Sequence, residues 1–239
     1  MAKERTGNGI TEGTIWKQIL LFFFPILFGT LFLTLYNTID AIIVGQALGK
    51  EALAAVSGGT STLTNLIIGF FTGVAGGATV VISQAYGAQD GEKVKKSLHT
   101  AICLSIVFSL VISVGGFLLT KPMLTIMATP EDIFPLAESY LRIYFLGSTG
   151  LIIFNMSSGI LRAFGDSRHP LWFLVIGAIL NIILDILFIA VFRRGVKGAA
   201  EATIISQAVS ALCTLIFLGT RKGLERMEVS RMLTYDPRI

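Results

Sequence analysis

Charge is what this sequence has least of. Only 14% of its 239 residues are Asp, Glu, Lys or Arg, where an ordinary soluble domain carries roughly 25%. With 53% hydrophobic residues, that shortage excludes a solvated globule, because several successive apolar runs would have nothing polar to cover them. Cysteine is nearly absent. Cys103 and Cys213 stand far apart inside apolar runs, which argues against a disulfide or a thiolate metal centre and makes them small apolar residues. Histidine is as scarce, and His99, close to an expected helix start, reads as interfacial. The net charge of +4 comes without a basic stripe interleaved with aromatics, so nucleic acid is not an expected partner. No nucleophile stands beside a general base, and neither an enzyme nor a cofactor is expected. The polar stretch Thr6 to Gly13 precedes a run too long for a signal-peptide core and lacks a clear cleavage pattern, so no removable leader is expected.

What is present is a series of long uncharged stretches. Gln18 to Ile39, Ala52 to Gln89 and Ser97 to Thr120 carry no charge, and Pro170 to Phe192 is broken only by Asp185. About 20 helical residues cross a hydrocarbon core of ~30 Å. Six spans are therefore expected, near Gln18 to Val44, Leu63 to Ser83, Ser97 to Thr120, Ile143 to Leu161, Pro170 to Phe192 and Thr203 to Thr220. The fold class is an all-α integral membrane protein, a bundle of six transmembrane helices. Residues 1–17 form an N-terminal segment, 18–220 the bundle, and 221–239 a charged tail. Few turn signals precede Leu63 apart from Gly58 and Gly59, so the second helix can begin earlier and run long. Within it Gly69, Gly73, Gly76 and Gly77 are spaced to let a neighbouring backbone approach.

Lys and Arg divide unevenly between the two ends of such a bundle. Thirteen fall on the side of the termini, among them Lys93, Lys95, Lys96, Arg162, Arg168 and the tail, and five on the other: Lys50, Lys121, Arg193, Arg194 and Lys197. The positive-inside rule then puts both termini in the cytoplasm of a multi-pass protein of the cell (plasma or inner) membrane, with lipid as its surroundings. Arg142 begins the fourth span one turn after Glu138, an i, i+4 surface ion pair.

Ionisable groups within spans are costly and face a cavity or a partner. Two carboxylates qualify, Asp40 and Asp185. Asp185 falls well inside its span. Asp40 lies toward the outer end of the first, where a carboxylate reaching the headgroups is the plain alternative. Tyr36 and Asp40 share one helix face, as do Asn181 and Asp185, four residues apart in each case, and Asn37 lies three before Asp40 on nearly the same side. Oxygen donors of this kind suit a hard cation such as Na⁺, and a carboxyl removed from water can carry H⁺ instead. A pocket shared by both aspartates, with Asn181, Tyr36 and Thr203, is the expectation. Pro25 interrupts the first span and permits a bend, or serves packing alone. Thr203 opens the sixth span, where a helix N-cap is its simplest role. The chain also echoes itself: Asn37-Thr-Ile-Asp40 before Gly49-Lys-Glu-Ala resembles Asn181-Ile-Ile-Leu-Asp185 before Val196-Lys-Gly-Ala. Repeats in transporters commonly put a coupling-ion site between equivalent elements.

Arg162-Ala-Phe-Gly-Asp-Ser-Arg-His-Pro170 and Asn181-Ile-Ile-Leu-Asp185, with the Pro25 helix, Asn37-Thr-Ile-Asp40 and Ser83-Gln-Ala-Tyr-Gly-Ala88, resemble the N-terminal half of multidrug and toxic compound extrusion (MATE) transporters, most closely the DinF-like branch. The resemblance covers about residues 12–220 and implies one six-helix lobe of a two-lobed, V-shaped transporter. It implies H⁺ or Na⁺ coupling at Asp40, Asn181, Asp185 and Thr203, with Na⁺ as the one metal these residues would hold. Tyr36, Asn37 and Asn155 are then candidates for lining the cavity. The implied partners are an organic, often cationic, small-molecule substrate and a second six-helix lobe, from a missing half or another chain. Two other functions stand beside cation-coupled export. A lipid-linked glycan flippase of similar architecture would need a cationic cavity, and the spans hold no buried Lys or Arg to make one. A membrane fragment or scaffold without transport would be indifferent to neutralising both aspartates.

Overall fold

The computed structural model describes residues 14–220. The tail 221–239 and most of the N-terminal segment, with their basic residues, lie outside the described residues. Six helices are long and apolar enough to cross a membrane, and the chain is an all-α multi-pass membrane protein. The first span is α1 (Ile15–Leu48). The short α2 (Lys50–Ser57) leads into α3 (Gly59–Gly87), followed by α4 (Gly91–Ile126), α5 (Phe134–Ala163), α6 (Arg168–Asp185) and α7 (Val196–Thr220). The helices outrun the expected spans at most ends, because apolar composition marks only the part of a helix that lies in hydrocarbon.

Local chemistry explains the breaks. Gly49 joins α1 to α2 at φ 89°, a conformation that side chains disfavour. At Gly58 a Cβ would lie 2.5 Å from the Ala54 carbonyl oxygen, so the early start of the second span is a separate helix and not a longer one. Asp90 caps α4 by accepting the Lys93 N–H at 3.0 Å, and Asp166 does the same for His169 at the start of α6, at 3.1 Å.

Helix α5 is the pillar, packed against α3, α4 and α7, while α6 lies between α1 and α7. Lipid tails offer no hydrophobic drive between helices, so close van der Waals fit has to hold the bundle. Glycines supply it along α5 and its neighbours. A Cβ on Gly116 would fall 2.0 Å from the Phe145 ring, one on Gly147 2.2 Å from Ile204, and one on Gly150 2.9 Å from the Ala208 backbone nitrogen. The Gly69, Gly73, Gly76 and Gly77 set does not act this way, since each has nothing within 4 Å of its would-be Cβ. Their spacing put them on one face, and no element of the described residues packs there. Polar groups point inward: Ser105, Ser109, Ser113 and Thr120 of α4 are buried while Leu110, Val114 and Leu118 are exposed.

The sixth span begins at Val196, so Thr203 is two turns inside α7 and is not a cap. Its hydroxyl donates back to the Ala199 carbonyl at 3.0 Å. His99 is buried within α4, its Nδ1 2.7 Å from the Lys95 carbonyl oxygen, rather than facing the interface. Arg142 does pair with Glu138, at 2.8 Å, and Lys121 joins them.

Candidate functional site

The helices converge on one polar pocket. On α1, Tyr36 and Asp40 stand a turn apart, and on α6, Asn181 and Asp185 do the same. The carboxyl groups of Asp40 and Asp185 meet within hydrogen-bonding reach. Tyr36, buried on α1, faces the Thr203 side chain from α7. Helix α1 continues to Leu48, eight residues or about 12 Å beyond Asp40 at 1.5 Å per residue. Asp40 is therefore not at the end of its helix, and it is half-buried beside Asp185.

Asn181 is fully buried and knits the pocket together. Its carboxamide satisfies both neighbours when the nitrogen faces Asp185. Nδ2 then donates to Asp185 Oδ2 at 2.8 Å and Oδ1 accepts the Thr203 backbone N–H at 3.2 Å. Asp185 is at 0% exposure and Asp40 is half-buried. The Oδ1 atoms of both are buried without a hydrogen-bond partner among the described residues. The two carboxyl groups thus face each other, with two oxygens left for a further ligand.

Two residues of the pocket carried no signal in the sequence. Tyr140 and Tyr144 of α5 are buried and stack on each other, ring centroids 6.0 Å apart, and Tyr140 interacts electrostatically with both aspartates. Tyrosines near a membrane boundary read as interfacial anchors. Only the packing of α5 at the centre of the bundle turns this face inward. The second surprise follows Asp185 directly: Ile186–Val191 is π-helical, with the Phe192 N–H bonded to the Leu187 carbonyl at 2.8 Å. Such wide turns are frequent at functional sites.

Other candidates stand apart. Asn37 is exposed on α1, about 100° round the helix from the buried Tyr36. Tyr36 occupies the position on α1 that Asn181 has on α6, four residues before the aspartate. Asn155 gives its amide to the Leu151 carbonyl at 2.9 Å, eleven residues or about 16 Å along α5 from Tyr144. Pro25 lies within α1 without ending it, fifteen residues or about 22 Å from Asp40.

The chain as a whole is similar to known proteins. The chain is 36% identical over 208 residues to the probable multidrug resistance protein YpnP of Bacillus subtilis strain 168, covering 87% of this chain and 46% of that one. It is 28% identical over 232 residues to the FAD transporter of Shewanella oneidensis, covering 94% and 51%. Its fold superposes, at TM-score 0.88 and 27% identity, on a multidrug resistance MATE family transporter of the MOP superfamily in an outward-facing conformation, covering 99% of this chain and 52% of that one. The chain thus spans about half the length of the relatives it matches. The MatE family model matches residues 25–187, from Pro25 through the Asp40 and Asp185 pocket, and the chain belongs to that family of transporters.

Proposed function

We propose that this chain is the ion-coupling lobe of an antiporter that exports organic, often cationic, compounds, with both termini in the cytoplasm. The observation that carries the reading is the meeting of Asp40 and Asp185 in a pocket built from α1, α6 and α7. A pair of acids buried within a membrane is expensive unless it binds something. The donor set is all hard oxygen. It fits a proton, and it also fits Na⁺, for which the two free Oδ1 atoms, the Tyr36 and Thr203 hydroxyls and little else would serve, since Asn181 has its oxygen engaged with α7. We take the proton as the coupling ion because the carboxyls hydrogen-bond each other directly. Losing that proton leaves two negative charges facing one another across the α1/α6 seam, and α1 is the helix free to move away. Proton occupancy would thereby bias α1 between two positions, and substrate retention follows if only one of them favours binding. Multidrug and FAD transporters among the relatives match nearly all of this chain, which fits a coupling site separate from substrate choice.

The test is a transporter completed with a second lobe and reconstituted in vesicles, with Asp40→Asn and Asp185→Asn variants. Each should reduce proton-driven export at least tenfold while leaving the protein folded. Export driven by a Na⁺ gradient with no pH gradient would replace H⁺ by Na⁺ in the mechanism. Unchanged coupling in both variants would return the chain to a scaffold.

A further inference from the structure

At the end of the bundle opposite the termini, on the side away from the acid pocket, one carboxylate serves two cations. Glu138 Oε1 accepts from Arg142 Nη2 at 2.8 Å, and Lys121 Nζ stands 3.8 Å from the same atom. The cluster keeps a charge of +1. Glu131 and Asp132, in the connection between α4 and α5, form no ion pair with either cation among the described residues. The Arg142 guanidinium lies over the Phe117 ring, 5.1 Å from its centroid. That contact fixes its plane, and its Nε is buried without an acceptor. The surroundings are lipid-facing: Leu118 and Leu146, each within one turn below a cation, are exposed at 68% and 58%. Depth matches as well. Arg142 is 21 residues from Ala163 at the far end of α5, about 32 Å, which is the boundary of a hydrocarbon layer of ~30 Å.

We propose that Lys121 and Arg142 form a binding site for the phosphate of a membrane lipid, with preference for an anionic phospholipid. An exposed surplus cation at this depth faces phosphates on the polar side and acyl chains on the other. The fork of Arg142, with one Nη given to Glu138, keeps donors for a phosphate oxygen, and the ammonium of Lys121 closes the other side. Acyl chains then run down Leu118 and Leu146. Glu138 limits the affinity by neutralising one of the two charges, and it holds both cations at a common point. The site does not depend on which leaflet this end occupies or on the coupling mechanism.

The full chain, reconstituted in nanodiscs of phosphatidylcholine with phosphatidylglycerol and then released for native mass spectrometry, tests this through the lipid it retains. Wild type should retain phosphatidylglycerol over phosphatidylcholine, and Lys121→Gln should lower that preference about fivefold, the effect of one charge at a membrane surface. Glu138→Gln should raise it by a similar factor. A purely structural ion pair predicts the reverse for Glu138→Gln, which would then lose lipid and stability together. Lys121 is exposed, so its variant folds even if Arg142→Gln does not. Equal retention in wild type and Lys121→Gln would overturn the proposal. Stabilisation of the detergent-solubilised chain by inorganic phosphate alone, to the same extent as by the lipid, would also overturn it in favour of a free-anion site.

Discussion

Helices α1 and α5 are both long, apolar and proline-bearing, yet they occupy opposite situations. In the most hydrophobic stretch of α5, 61% of residues are buried within the bundle, whereas for α1 the share is 6%. Apolar composition alone cannot tell a helix wrapped in protein from one wrapped in lipid, since both solvents are equally oily. The difference teaches where the acid pair lies: across the seam between the firmly held helices and the least held one. Asp185 is fixed by Asn181 on its own helix, and Asn181 is in turn held by the Thr203 backbone N–H on α7. Asp40 arrives on a helix that only α6 and the short α2 hold along most of its length. On the proposed mechanism, a pocket arranged like this would convert a change of charge into a displacement of α1 more readily than one built wholly within the α4, α5 and α7 core.

The largest effect should come from attacking the held side. Gly150→Ala places a methyl 2.9 Å from the Ala208 nitrogen and 3.0 Å from its Cα. Backbone cannot swing aside as a side chain can, so α5 and α7 must separate along their contact. Overpacking of this kind costs about 3 kcal/mol, and in lipid nanodiscs the thermal unfolding midpoint should drop sharply. A midpoint equal to wild type would mean that α5 is not the pillar.

A smaller loss is expected at the seam. Asn181→Ala removes the donor to Asp185 and the acceptor for Thr203 together, leaving buried groups unsatisfied at about 1–3 kcal/mol. If the carboxyl pair holds a proton, as proposed, the same variant should alter its infrared carbonyl stretch, which a change of packing alone would leave in place. An unaltered band would show that Asn181 does not touch the pair.

Much of this was legible beforehand. Six spans, the two intramembrane aspartates and the faces shared by Tyr36 with Asp40 and Asn181 with Asp185 all follow from hydropathy and helical spacing. Spacing fixes relations within a helix. It is silent on which helix turns which face to its neighbour. Nothing in the sequence marked Tyr140 and Tyr144 as facing the aspartates, because only the packing of α5 at the centre of the bundle turns them inward. Asn37, three residues before Asp40, is exposed, whereas Tyr36, four before it, is buried. Thr203 seemed a cap because polarity was taken for a helix end, although a hydroxyl bonded to the preceding turn can lie mid-helix. The π-helical segment after Asp185 left no trace in Ile-Leu-Phe-Ile-Ala-Val, a sequence equally suited to an α-helix.

The smallest effect in the chain alone separates the two kinds of glycine most cleanly. Gly73 of α3 has the same side chain as Gly150 and the same membrane setting, but open space where Gly150 has backbone. Replacing it by Ala adds no clash and removes a weak helix former, so the stability of this chain should stay level or rise by up to about 1 kcal/mol. Gly73→Leu should be tolerated as well, because the added atoms meet only lipid. In a transporter completed by a second lobe the outcome should diverge. If that lobe packs against the open face of α3, Gly73→Leu should weaken assembly there while leaving the isolated chain unaffected, and crosslinking between lobes would register the loss. A destabilised chain on its own would mean that something in this half already covers the glycine face. An unimpaired two-lobed protein would mean that the face is turned to lipid and that the open side of α1 alone receives the partner.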